Sequence, residues 1–98
     1  MKNDIFLYER FDNKKNLLEI KKNFKLIRID SKKKFNYRNV KILFVKLKYN
    51  LDKKFLFKLK NLKYILSPTT GLNHIDLKYC KSRKIEIIYF DKKKRKLL

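Results

Sequence analysis

Five short apolar runs, at residues 4–9, 25–30, 40–49, 64–66 and 85–90, punctuate an otherwise polar chain. The stretches between them are too long for two-residue hairpins, and most are long enough for a helix. Returning a strand to the same sheet in parallel takes a connection of about a dozen residues, usually a helix. Leu17, Leu18 and Phe24 fall at helical spacing behind a capping Asp12 or Asn13, and share one apolar face. Leu51, Phe55, Leu59 and Leu62 repeat the pattern, and 73–83 reads as a third helix. Ser31 to Asn39 has little periodicity and reads as a basic loop. The strands need not alternate, which suits burial on both faces. The order predicts a doubly wound α/β domain, a parallel sheet of about five strands with helices on both faces.

The 98 residues carry 29 Lys or Arg against 9 Asp or Glu, a formal charge of +20. Such a charge points first to nucleic acid, since each lysine at a phosphate releases counterions. The remaining composition redirects that inference. Ala and Trp are absent, Gly and Pro occur once each, and 24 lysines accompany abundant Leu, Ile, Asn, Phe and Tyr. Those are the residues of A/T-rich codons, so coding bias accounts for much of the lysine excess. The runs Lys32-Lys33-Lys34 and 92–96 are short and not interleaved with aromatics, and read as solvated surface. Nonspecific adhesion to nucleic acid at low salt is expected either way. One cysteine excludes an intramolecular disulfide and a cysteine-cluster metal site. No stretch approaches the roughly 20 apolar residues that span a bilayer, and the start has no signal-peptide pattern, so the expected location is cytoplasmic.

The single Gly and single Pro lie together in Ser67-Pro68-Thr69-Thr70-Gly71-Leu72-Asn73-His74-Ile75-Asp76, between a strand and a helix. In an open parallel sheet, ligands bind at that place, outside the carboxyl ends of the strands. Asn73 with Asp76 three residues on has the form of a capping box. A loop of free N–H groups running into a helix N-terminus suits a small carboxylate. The same pattern also serves as ordinary punctuation between strand and helix. His74 has no triad partner or co-ligand in the sequence around it, and Cys80 reads as buried packing.

The segment 61–77, Asn-Leu-Lys-Tyr-Ile-Leu-Ser-Pro-Thr-Thr-Gly-Leu-Asn-His-Ile-Asp-Leu, followed by 80–88, Cys-Lys-Ser-Arg-Lys-Ile-Glu-Ile-Ile, resembles the D-isomer-specific 2-hydroxyacid dehydrogenases. Leu62, Lys63, Ile65, Gly71, His74, Ile75, Asp76, Leu77, Cys80 and Ile85 match the family pattern. Asn73 stands where Asp is common, and Lys84 where Gly is usual at the helix end. The resemblance implies a flavodoxin-like substrate-binding lobe over residues 1–91, with 92–98 a basic tail. It also implies that backbone amides at Thr70 and Gly71 hold the carboxylate of a small 2-hydroxy or 2-oxo acid. Asn73 and Asp76 would shape the loop and cap the helix.

Family members use NAD, bound by a separate domain with a Gly-x-Gly-x-x-Gly turn and followed by catalytic Arg, Glu and His. One glycine in 98 residues cannot make that turn, and His74 does not correspond to the catalytic histidine. The expectation is a truncated or fragmentary dehydrogenase, inactive alone, with no catalytic, cofactor or metal residue of its own. Its partner would be the missing nucleotide-binding domain or another copy in a homo-oligomer. The alternative is a small basic nucleic-acid-binding protein.

Overall fold

Each apolar run pairs with its neighbours so that its branched side chains line up across the sheet. The computed structural model describes residues 4–10, 14–46, 49–67, 72–91 and 96–97. In chain order these form β1 (Ile5–Tyr8), α1 (Lys14–Lys21), β2 (Lys25–Arg28), a 3-10 turn (Tyr37–Asn39) and β3 (Val40–Phe44). Then come α2 (Lys53–Phe57), β4 (Tyr64–Ser67), α3 (Leu77–Ser82), β5 (Glu86–Asp91) and β6 (Lys96–Leu97). The strand order is β2-β1-β3-β4-β5-β6. The first five strands are mutually parallel, which is the doubly wound α/β arrangement.

Register explains the core. Leu7 lies beside Ile27 on one flank and Leu43 on the other, Leu43 beside Ile65, and Ile65 beside Ile87. This stripe crosses one face of the sheet, and Leu43 and Ile65 are wholly buried in it. Burying an aliphatic side chain of this kind contributes about 1.5–3 kcal/mol. Leu51, Leu56, Leu59, Leu62 and Cys80 close over the same stripe. Right-handed crossovers place α2 and α3 on that face and α1 on the other. On the α1 side, Phe6 meets Phe24 edge-on at 6.2 Å and stacks with Phe44 at 6.4 Å.

The helices are shorter than the apolar spacing suggests. α1 stops at Lys21, so Phe24 leaves the helical face and packs on Phe6 instead. Leu18 turns outward, 65% exposed, while Leu17 and Ile20 are half-buried. The proposed caps Asp12 and Asn13 lie outside the described residues. α2 begins at Lys53 behind Asp52, leaving Leu51 in a strand-like bridge, and ends well before Leu62. Part of the stretch read as a basic tail forms β6, which pairs antiparallel with β5 through Phe90↔Leu97 and Asp91↔Lys96.

Two adjacent residues finish α3 and bind it to α2. Arg83 donates from its guanidinium to the carbonyls of Leu56 (2.7 Å), Leu59 (2.6 Å) and Lys60 (3.0 Å), and lies over the Tyr79 ring. These carbonyls belong to the last turn of α2 and the residues just after it, where helical partners run out and a cation is favoured. Lys84 follows with φ 59°. Its N–H donates to Lys81 O, and Ile85 N–H donates to Cys80 O, the two bonds of a Schellman end. The left-handed region that suits glycine is here occupied by lysine.

Arg83→Met is expected to lower stability by about 2 kcal/mol, because charged hydrogen bonds to three carbonyls are lost. Arg83→Lys recovers only part of this, since an ammonium cannot fork across them. Lys84→Gly is expected to raise stability by about 1 kcal/mol by relieving the left-handed backbone. Chemical denaturation of the three variants checks both signs.

Candidate functional site

The carboxyl ends of β1, β3 and β4 converge on one edge of the sheet, and the segments that leave them build a small concave site. Glu9, just past β1, donates its N–H to Phe44 O (2.9 Å) and accepts from Lys46 N–H on Oε1 (3.1 Å). Val45 N–H donates to Leu66 O (3.0 Å). Ser67 closes β4 as a fully buried polar residue.

Beyond the strands, two connections are joined to each other. Leu51 N–H donates to His74 O (2.6 Å), and Asp76 N–H donates to Leu51 O (2.9 Å), a parallel bridge between Leu51 and Ile75. Each segment then enters a helix behind an aspartate. Asp52 Oδ1 accepts from Phe55 N–H (2.9 Å), and Asp76 Oδ1 accepts from Tyr79 N–H (3.0 Å). A pocket of about 410 Å³ lies against this junction, lined by residues 50–52 and 73–76.

Thr70 and Gly71 lie outside the described residues. Asn73 lines the pocket three residues before the cap, and the helix starts at Leu77 rather than at Asn73. Asp76 is therefore itself the N-cap, not the reciprocal member of a capping box begun by Asn73. Its carboxylate accepts one first-turn N–H group, that of Tyr79. The sequence reading opens the second helix at Leu51-Asp52 without assigning Asp52 the cap, and misses the Leu51 bridge. An aspartate at the start of an amphipathic run was the available signal for Asp52, whereas nothing local announces the bridge.

His74, the single histidine, has both ring nitrogens shielded from solvent and without a hydrogen-bond partner among the described residues. Burial pushes its pKa below the ordinary 6.5, opposed by the nearby Glu9 carboxylate. The buried Cys80 thiol is pushed up, first by burial and then by Asp76, with Arg83 opposing. A thiol held protonated in the core is a packing group, not a nucleophile. Among the described residues no three His, Cys, Asp or Glu side chains cluster as metal ligands. No helix among them is long and apolar enough to cross a membrane.

The sequence matches the family described as D-isomer specific 2-hydroxyacid dehydrogenase, catalytic domain, over residues 5–92. The chain belongs to that family. Solved 2-hydroxyacid dehydrogenases share its fold. D-lactate dehydrogenase from Aquifex aeolicus, complexed with NAD and lactic acid, superposes with a TM-score of 0.72 at 22% identity, covering 89% of this chain and 28% of its own. NAD-bound 3-phosphoglycerate dehydrogenase from Entamoeba histolytica gives 0.70 at 18%, covering 88% and 32%. 2-Hydroxyacid dehydrogenase from Ketogulonicigenium vulgare gives 0.71 at 13%, covering 93% and 30%. No curated protein sequence matches the chain. This dehydrogenase-family chain thus spans about a third of the length of its structural relatives.

His74 gives the site a pH signature. A histidine whose folded pKa lies below its unfolded one leaves stability intact above pH 6.5 and drains it as pH falls toward the folded value. The unfolding midpoint is expected to drop between pH 7.5 and 5.5. In His74→Gln the drop over that range should disappear, as measured by denaturation at fixed ionic strength.

Proposed function

We propose that this chain is the substrate-holding part of a D-2-hydroxyacid dehydrogenase. The reading rests on the family match over residues 5–92, together with the position of the β4–α3 connection at the carboxyl edge of the sheet. In that role the loop amides of Thr70 and Gly71 bind the carboxylate of a small 2-hydroxy or 2-oxo acid. Asp76 starts α3 at a fixed place, and the Leu51 bridge anchors the loop's far end. The loop is thereby held at one end by β4 and at the other by the bridge.

The residues of this chain do not fit a dinucleotide. The turn after β1, where a doubly wound nucleotide site carries its glycines, contains none. It presents instead the Glu9 carboxylate, which would repel a pyrophosphate. The relatives seen in complex with NAD are chains about three times as long. We therefore assign hydride transfer to an assembly that includes a nucleotide-binding domain, supplied on a longer chain or by a partner. Alone, this chain holds substrate without turning it over. The nucleic-acid alternative draws no support from the family match or from the structural neighbours.

Titrating the labelled chain with oxalate or lactate at 0.15 M salt should shift amide signals of residues 70–76 saturably, and Gly71→Val should abolish the shifts. Shifts spread evenly over lysine-bearing segments would defeat the carboxylate assignment. NADH fluorescence should be unchanged by the chain, and micromolar affinity for NADH would overturn the division of labour.

A further inference from the structure

The sheet has four crossovers between successive parallel strands, and three of them carry an α-helix. The fourth, from β2 to β3, must pass over β1 and has only the 3-10 turn Tyr37–Asn39. By handedness it lies on the same face as α2 and α3. A three-residue turn cannot cover what a helix covers, and the shortfall shows beside it. A pocket of about 440 Å³ opens between this connection and α2. Its floor is Leu7 of β1 and Ile29, just past β2. Its walls are aromatic: Phe55 from α2, and Phe35 and Tyr37, whose rings meet edge-on at 4.8 Å.

The rim is of the opposite character. Ser31, Lys32, Lys33 and Lys34 line the mouth. Lys33 N–H donates to Ser31 Oγ (3.1 Å), which sets the course of the rim. Asn36 Oδ1 receives Arg38 N–H (3.0 Å), and Asn61 Nδ2 donates to Arg38 O (2.8 Å), pinning the other end of the connection. The nearest acid in sequence, Asp30, is held by Arg28 at 3.2 Å. No ion pair joins the three lysines to an acidic group among the described residues.

We propose that this pocket binds a flat aromatic carboxylate. Three aromatic walls favour a planar ring over an alkyl chain, through edge and offset contacts. The exposed lysines among the lining residues give the carboxylate its partner and set the orientation, ring inward and charge outward. The pocket lies on the α2 face at the β1–β2 side, lined by none of the residues assigned above to the acid-holding loop. It is therefore a separate site with a separate test.

The probe is 2-naphthoate, titrated into the labelled full chain at 0.15 M salt, where exposed charges more than about 8 Å apart are screened. Saturable shifts are expected at the Leu7 and Ile29 methyls and at the Phe35 and Tyr37 amides. The variant Lys32→Glu/Lys33→Glu/Lys34→Glu should bind at least tenfold more weakly. Lys54→Glu/Lys58→Glu/Lys78→Glu, with the same change of charge away from the rim, should bind as the parent does. All six positions are exposed, and unchanged amide spectra elsewhere establish that both variants fold. The proposal fails if the two variants weaken equally, or if the shifts follow lysines generally. It also fails if uncharged 2-naphthalenemethanol binds as well as the acid, or if the pocket is closed by self-association in light scattering.

Discussion

The pair of hydrogen bonds joining Leu51 to His74 and Asp76 is the contact on which the carboxyl edge of the sheet depends. Parallel strands deliver their connections to one edge with nothing in the ladder itself to order them. Bonds of 2.6 and 2.9 Å tie the exit from β3 to the exit from β4, and the aspartates on either side start α2 and α3 immediately afterwards. The two helices consequently enter the structure side by side. At their far ends Arg83 joins them again, through carbonyls of α2. Short helices of five and six residues have little stability of their own. Fastened at both ends, they behave as one unit lying over the Leu7–Leu43–Ile65 stripe.

The lysine excess has structural uses apart from any ligand. Lys60 Nζ stands 3.2 Å from the centre of the Phe57 ring, which is 55% exposed, and Lys53 lies over Tyr79. An ammonium over an exposed ring is held by the negative face of its π-system and shields that face from water. At these two places the positive charge is spent on aromatic faces. The rim at Lys32–Lys34 differs because it surrounds a recess instead of covering a ring.

The strands and their parallel order were legible because runs such as Ile5-Phe6-Leu7 and Ile42-Leu43-Phe44 are apolar on both faces, and only crossovers of helical length separate most of them. Helix limits were less legible. Leu18 matches the apolar spacing yet points to water, because α1 is too short to carry the stripe to Phe24. Asp76 was recognised as part of a cap but placed three residues inside the helix, since Asn73 is an equally good capping residue by type. Arg83 was invisible for a different reason. Its partners are backbone carbonyls more than twenty residues earlier, and carbonyls leave no mark in a sequence. The missing helix between β2 and β3 was legible as a loop without periodicity, but the recess it leaves was not, because that depends on what α2 brings alongside.

Lys84 shows what a fold tolerates where only a rare dihedral is required. A lysine stands here at a left-handed φ of 59°. A penalty near 1 kcal/mol alters the folded-to-unfolded ratio only about fivefold, which a domain with several kcal/mol in reserve survives. A lysine where two backbones must touch would bring a side chain into occupied space. A position that asks only for a rare dihedral can therefore hold a lysine at small cost, whereas one that asks for empty space between backbones cannot.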